Sequence, residues 1–197
     1  LRHKLVVSHA DEFTGKGSFH RILWDDEDPF DDSKRSLVAD DKIKRVVLCS
    51  GKVYYDLFEE RQKRKIKDVY LMRVEQIYPF PDVALTNDLQ RFPNAEMVWC
   101  QEEPKNSGSW AFIRDPLEEV LEAINHKETR PAYVGRPASA SPATGLMAKH
   151  VMQQQKLLDE ALTVPKAKAT PARRKVSTKA PPKKMPAKKT AGRAKKK

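Results

Sequence analysis

The side chains able to do chemistry fall into three short strings, and none of them is a complete catalytic set. Ser50-Gly51-Lys52 closes an apolar run and opens a helical pattern. Backbone N–H groups and a helix dipole can hold an anion at such a place. The full phosphate loop, Gly-x-x-x-x-Gly-Lys-Ser/Thr, is absent because nothing upstream supplies its first glycine. Two readings stay open: Gly51 makes a tight turn, or Lys52 receives an anionic group. Gly135-Arg136-Pro137-Ala138-Ser139-Ala140-Ser141-Pro142 puts one guanidinium and two hydroxyls on a loop stiffened by two prolines. It could receive a phosphate or carboxylate. Equally, it could pin the last helix, with Arg136 paired to an acid, Ser141 as N-cap and Pro142 at the first helical position. Glu102-Glu103 follows an apolar strand pattern, at the edge where open α/β sheets place ligands. Adjacent carboxylates in an extended segment point to opposite sides. The pair is therefore read as structural, one carboxylate holding an arginine such as Arg136.

His3, His9, His20, His126 and His150 are scattered, and no His-x-x-x-His or Ser/His/Asp arrangement emerges. No catalytic residue, cofactor-binding residue or metal ligand is assigned, and the chain is expected to catalyse nothing alone. Cys49 and Cys100 each sit in an apolar run, as buried reduced thiols do, which points to a reducing compartment. No apolar run approaches the ~18 residues of a membrane span, and no signal-peptide pattern is present. The chain opens on Leu1 rather than Met and reads as the continuation of something longer.

The elements that must position these residues begin at Arg45. Val46-Val47-Leu48-Cys49 is a continuous apolar run, as in a strand buried on both faces. A helix follows with Val53, Leu57, Phe58 and Gln62 on its inner side. Residues 69–74 form a second strand. Pro79 and Pro81 then break the chain, and Asp82 can cap a helix running to about Gln90. Met97-Val98-Trp99-Cys100-Gln101 is a third strand. A helix after the 102–108 loop carries Trp110, Phe112, Ile113, Leu117, Val120, Leu121 and Ile124, and Pro116 should kink it or start a new one. Ala132-Tyr133-Val134-Gly135 is a fourth strand, and a long helix from about 142 to 162 closes the body. Strand and helix alternate with short loops. The pattern predicts an α/β fold, a mostly parallel sheet of four to five strands with helices on its faces, with Trp99 and Trp110 inside.

Residues 1–44 are irregular: an aromatic set (Phe13, Phe19, Trp24), then the acidic runs Asp25-Asp26-Glu27-Asp28 and Asp40-Asp41. They read as a linker from an upstream domain, lying on a neighbouring surface, with the acids on a solvated face. The formal charge of +11 is misleading, because residues 165–197 hold 14 Lys and Arg and no acid. The rest carries 24 basic against 27 acidic residues, a net of −3. Residues 164–197 hold five prolines, no aromatic residue and few aliphatics beyond alanine. They cannot bury enough apolar surface to offset the entropy of ordering, which predicts a disordered basic tail.

Four strings resemble one family in its order and spacing. They are Arg45-Val46-Val47-Leu48-Cys49-Ser50-Gly51-Lys52-Val53-Tyr54-Tyr55-Asp56-Leu57; Arg73-Val74-Glu75-Gln76-Ile77-Tyr78-Pro79-Phe80-Pro81; Trp99-Cys100-Gln101-Glu102-Glu103-Pro104 with Asn106, Gly108 and Trp110; and Tyr133-Val134-Gly135-Arg136-Pro137-Ala138-Ser139-Ala140-Ser141-Pro142-Ala143. Over roughly 1–163 the chain resembles the C-terminal, transketolase-type domain of the decarboxylating component of 2-oxoglutarate dehydrogenase. The resemblance implies an intact homodimer that decarboxylates 2-oxoglutarate in the tricarboxylic acid cycle. Thiamine diphosphate and Mg²⁺ would sit in upstream domains, and the succinyl group would pass to the dihydrolipoyl succinyltransferase of the complex. It implies a cytoplasmic protein in a bacterium, or a mitochondrial matrix protein in a eukaryote. Some relatives bind acetyl-CoA or nucleotide effectors on this domain, which singles out Lys52, Arg136 and Ser139 as a candidate anionic effector site. The tail departs from the family and resembles the tails of linker histones. A nucleic-acid-binding role acting through it is the alternative.

If the tail contacts nucleic acid, deleting 165–197 abolishes DNA binding and leaves the thermal melt of the body unchanged. Affinity of the whole chain then falls with salt at a slope of about −0.9 per phosphate contacted. Salt-titrated binding isotherms of the two forms check this.

Overall fold

Arg45–Cys49 (β2), Val69–Val74 (β3), Glu96–Pro104 (β4) and Ala132–Arg136 (β5) lie parallel, and Ile22–Leu23 (β1) adds an antiparallel edge strand to β3. The sheet order is β1-β3-β2-β4-β5. Four helices intervene or follow: Val53–Arg64 (α1), Asp82–Leu89 (α2), Trp110–Ala123 (α3) and Met147–Leu162 (α4). This computed structural model describes residues 5–6, 13–14, 18–25 and 37–164. The tail expected over 164–197 lies outside them except for Val164, as do Asp26, Glu27 and Asp28.

Side chains of a strand alternate between faces, and here both faces are covered. Val46 and Leu48 enter one core with Tyr70, Met72, Met97 and Trp99, sealed by α2 and α3. Val47 and Cys49 enter the other with Leu71, Val98 and Cys100, beneath α1 and α4. Trp99 is 1% exposed and Trp110 7%, both inside as expected. No helix among the described residues is long and apolar enough to cross a membrane.

Several local expectations are corrected. Asp82 is the first residue of α2 rather than its cap, which is Pro81, and no side chain caps that end. Pro116 lies inside an uninterrupted α3, where Ile113, Leu117, Val120 and Leu121 are buried along one side. Packing of that side outweighs the hydrogen bond a proline removes. The last helix starts at Met147, capped by Leu146 rather than Ser141. Gly145, at φ +71, turns the chain through the left-handed region just before it, which a helix begun at 142 would not permit. β4 runs through Pro104, three residues beyond the strand read from hydrophobicity.

The inner side of α1 holds Arg61, 1% exposed, where Gln62 was expected; Gln62 is exposed. Its partner comes from the leader. Asp25, first of the acidic run read as solvated, has a side chain 1% exposed and pairs with Arg61. Arg61 Nη2 donates to Asp25 Oδ1 at 2.8 Å, and the Leu71 amide donates to Oδ2 at 2.9 Å. Arg61 Nη1 also donates to the Val69 carbonyl at 3.0 Å. Residues 22–25 thus join the sheet edge. At the far end, buried Arg45 donates from Nη1 to the carbonyls of Glu160 and Ala161 at 2.7 and 2.9 Å, satisfying the last turn of α4. Its other nitrogens bind Glu96 at 2.6 and 3.0 Å.

Truncating Asp25 to Ala removes a buried carboxylate that accepts from Arg61 and from the Leu71 amide, and breaking a buried pair in this way costs about 3–5 kcal/mol. Chemical denaturation of Asp25→Ala should show a midpoint shifted down accordingly. A midpoint equal to the parent's would mean that the leader does not hold this edge in solution.

Candidate functional site

The order β3-β2-β4-β5 reverses direction between β2 and β4, so the C-terminal ends of these two strands flank the topological switch point. Cys49 ends β2, Gly51 at φ +73 makes the turn, and Lys52 is the N-cap position of α1. Nothing lies within 4 Å of where a Cβ on Gly51 would stand, so that turn needs the glycine for its backbone angle rather than for space.

Lys52 does not stand open at this point. Its Nζ pairs with Asp56 on α1 and lies 3.3 Å from Glu102 Oε1 on β4. Burial pulls its pKa down, but the hydrogen bond to Asp56 and the charges of Glu102 and Asp56 outweigh it, so the ammonium is held above its ordinary value. Glu102 therefore bonds the lysine and not Arg136, which corrects the pairing expected from sequence. Asp56 Oδ2 also accepts from Gln154 Nε2 at 2.9 Å, and Gln154 Oε1 accepts from Arg136 Nη2 at 3.4 Å. A continuous polar chain runs from Lys52 to Arg136 across the top of the sheet.

Arg136 is 9% exposed, and no acid pairs with it among the described residues. Its Nη2 lies 3.0 Å from His150 Nδ1. A guanidinium only donates, so this ring nitrogen accepts and the proton sits on Nε2. Arg136 Nε and Gln153 Oε1 are buried with no hydrogen-bond partner among the described residues. Both residues line a cavity of about 280 Å³ together with Pro104, Ser139, Ser141 and Lys149. Arg136 and Ser139 are thus brought together, and Lys52 is absent from this lining. Lys149, one turn along α4 from Gln153, is the cation that sequence reasoning missed; only the actual start of α4 reveals its position.

The loop itself is clamped. Ser139 N donates to Asn106 Oδ1 and Asn106 Nδ2 donates to Ser139 O, each at 2.9 Å. Ser141 N donates to Ser139 Oγ at 3.2 Å, and Ser141 Oγ donates to the Ala143 carbonyl at 2.7 Å. Tyr133 Oη donates to the Arg136 carbonyl at 2.9 Å. Burial pushes this phenol up to about 12, so it stays a donor. Gly135 makes room for that ring: a Cβ there would stand 2.5 Å from Tyr133 Oη and 2.7 Å from the Gln101 carbonyl.

Gln101 organises the whole strand end and was passed over in the sequence, although one polar residue closing an apolar run is a visible signal. Its Oε1 accepts from Trp99 Nε1 and from the Trp110 amide, both at 3.0 Å. Its Nε2 donates to the carbonyls of Ser107, Pro104 and Glu103 at 2.7, 3.2 and 3.3 Å. Asn106 owes its position to this hub. Cys49 and Cys100 face each other across β2 and β4, both free. Burial pushes both thiols well above their ordinary range, which keeps them protonated and poor nucleophiles. Among the described residues no group of three His, Cys, Asp or Glu side chains could hold a metal ion.

The family model described as 2-oxoglutarate dehydrogenase C-terminal matches residues 7–162. The 2-oxoglutarate dehydrogenase E1 component of Brucella anthropi is 62% identical over 162 residues, covering 82% of this chain and 16% of that protein. The protein of the same name from Brucella ovis is 61% identical over the same length and shares. The chain therefore spans about one sixth of the length of the curated relatives it matches.

Gln101→Leu should strand the Trp99 Nε1 donor and the Trp110 amide, at about 1–3 kcal/mol for each buried group left unsatisfied. A melt lowered by several degrees, with NMR shifts at Asn106 and Ser139, is the expected result. An unchanged Ser139 amide would show that the clamp stands without the hub.

Proposed function

Because the chain belongs to the 2-oxoglutarate dehydrogenase C-terminal family, we propose that it serves as the C-terminal supporting and regulatory domain of a thiamine-dependent 2-oxoglutarate decarboxylating dehydrogenase. The observation that carries this is the match over 7–162, which takes in every strand of the sheet and ends on the last residue of α4. In this reading the succinyl group formed from 2-oxoglutarate passes to the dihydrolipoyl succinyltransferase of the complex. The working enzyme is a homodimer in the bacterial cytoplasm or the mitochondrial matrix. Among the described residues no group of three His, Cys, Asp or Glu side chains could hold the Mg²⁺ that accompanies thiamine diphosphate. In this reading cofactor and chemistry belong to parts of the enzyme outside this chain.

A graft tests the reading. The Brucella anthropi E1 component carrying residues 7–162 of this chain in place of its own matching segment should retain 2-oxoglutarate decarboxylation. The 197-residue chain alone should show none. An inactive but folded graft, or turnover by the isolated chain, would each count against the proposal.

The regulatory part of the proposal concerns Arg136, Ser139 and Lys52. In this reading the anionic part of an effector such as acetyl-CoA or a nucleotide enters the cavity beside Arg136. Its unpartnered Nε offers a charge-assisted bond, and Lys149 adds a second cation at the mouth. Lys52 enters only through the polar chain from Asp56 to Gln154. Arg136→Met should weaken acetyl-CoA or AMP binding by about tenfold to a hundredfold, as loss of one such bond implies. Calorimetry that finds no binding of either ligand to the parent chain removes the effector site and leaves the supporting role standing.

A second reading applies to residues 165–197 alone. All 14 of their basic residues lie beyond the family match, which ends at 162, so a polyanion contact would be an addition to the family's role.

A further inference from the structure

The face of α3 that meets the sheet is filled by Trp110, Ile113, Leu117, Val120 and Leu121. A second stripe runs along the same helix at positions 112, 116, 119 and 123, the i, i+4, i+7 rhythm of one helical face. It reads Phe112, Pro116, Glu119 and Ala123, and its last three members face α2 across a groove of about 290 Å³. Phe80, Asp82 and Thr86 line the opposite wall. The groove's lining mixes apolar Phe80, Pro116, Val120 and Ala123 with polar residues, and an aromatic pair stands next to it in the chain: the rings of Tyr78 and Phe112 meet edge to face at 6.2 Å. Tyr78 is 79% exposed and Phe112 45%, and Val83, one turn before Thr86, is 70% exposed. Large apolar side chains gathered this way beside a concave surface mark a place where another chain packs.

The two charged residues that line the groove are of one sign. Asp82 and Glu119 line it, and neither forms an ion pair with a described residue. The nearest base along α3, Arg114, is taken by Asp115 at 2.6 Å. Two carboxylates with no ion-pair partner among the described residues, set beside Phe80 and Pro116, repel phosphate, which disfavours nucleic acid and anionic lipid. They complement a guanidinium or ammonium carried next to an aliphatic or aromatic side chain. We propose that the α2/α3 groove is a docking site for a basic amphipathic segment of another polypeptide. An apolar side chain enters between Phe80 and Pro116, and Arg or Lys residues meet Asp82 and Glu119 at the two walls. Arginine suits both roles, since its stem packs on apolar surface and its head binds a carboxylate through two hydrogen bonds.

The test uses the whole chain, labelled with ¹⁵N, and two synthetic amphipathic helices. One is built of Leu and Arg, and the other of Leu and Glu. The Leu/Arg helix should bind saturably and shift amides of 80–86 and 112–123, while the Leu/Glu helix should not bind. D82K/E119K should weaken binding by about tenfold or more with an unchanged melt. Should that variant fail to fold, Asp82→Asn with Glu119→Gln removes the same charges. Absence of binding, shifts centred elsewhere, or equal affinity after charge removal would each overturn the proposal. So would sedimentation showing that the unliganded chain dimerises through this face, because the occupant would then be a second copy.

Discussion

A parallel strand covered by helices on both sides has no solvent-facing side, and so every polar group within it must find its partner inside the protein. β2, β3 and β4 meet that condition with Val, Leu, Met, Cys, Tyr and Trp along their middles, and the buried polar exceptions organise the structure. Arg45 opens β2 and turns its guanidinium onto Glu96 and the terminal carbonyls of α4. Gln101 lies near the end of β4 and gathers two donors and three carbonyls. Arg61 approaches β3 from α1 and finds Asp25. Each exception ties a segment that the apolar pattern does not control: the last helix, the loop after β4 and the leader.

At the C-terminal edge the same constraint shapes the candidate site. Charges that might have met a ligand are largely spent on one another, from Lys52 with Glu102 and Asp56 to Gln154 and Arg136. Arg136 Nε and Gln153 Oε1 are left over among the described residues, and they share one cavity. A site of this kind is pre-formed: Asn106 and Tyr133 hold the loop backbone before any ligand arrives, so little ordering remains for binding to supply.

The two faces of the body differ in how they meet their surroundings. Over α1 and α4 the surface is knitted by ions, Arg64 bridging Glu60 and Asp159 across the helices. Between α2 and α3 it carries Asp82 and Glu119, which pair with no base among the described residues, beside Phe80 and Pro116. The first two turns of α4 expose Met147, Val151 and Met152, while Leu157, Leu158, Ala161 and Leu162 farther along are buried. Such asymmetry is what a piece spanning one sixth of its relatives' length would present if its neighbours cover some faces and leave others to solvent.

Local chemistry alone determined the body. The unbroken apolar run at 46–49, the strand at 69–74, the helix around Leu117 and the burial of both tryptophans follow from hydrophobic pattern, because both sheet faces are covered and pattern then dictates burial directly. The family resemblance was likewise written in contiguous strings. Partner choice was not, since a charged side chain pairs with whatever the fold brings near it. Asp25 reaches Arg61 across 36 positions and Gln154 reaches Asp56 across 98. Glu102 takes Lys52 because β2 and β4 are neighbours, a fact of topology rather than of spacing. The start of α4, and with it Lys149 in the cavity, depended on Gly145 leaving the helical region; serine and proline at 141–142 gave a plausible local signal for a cap that tertiary packing placed elsewhere.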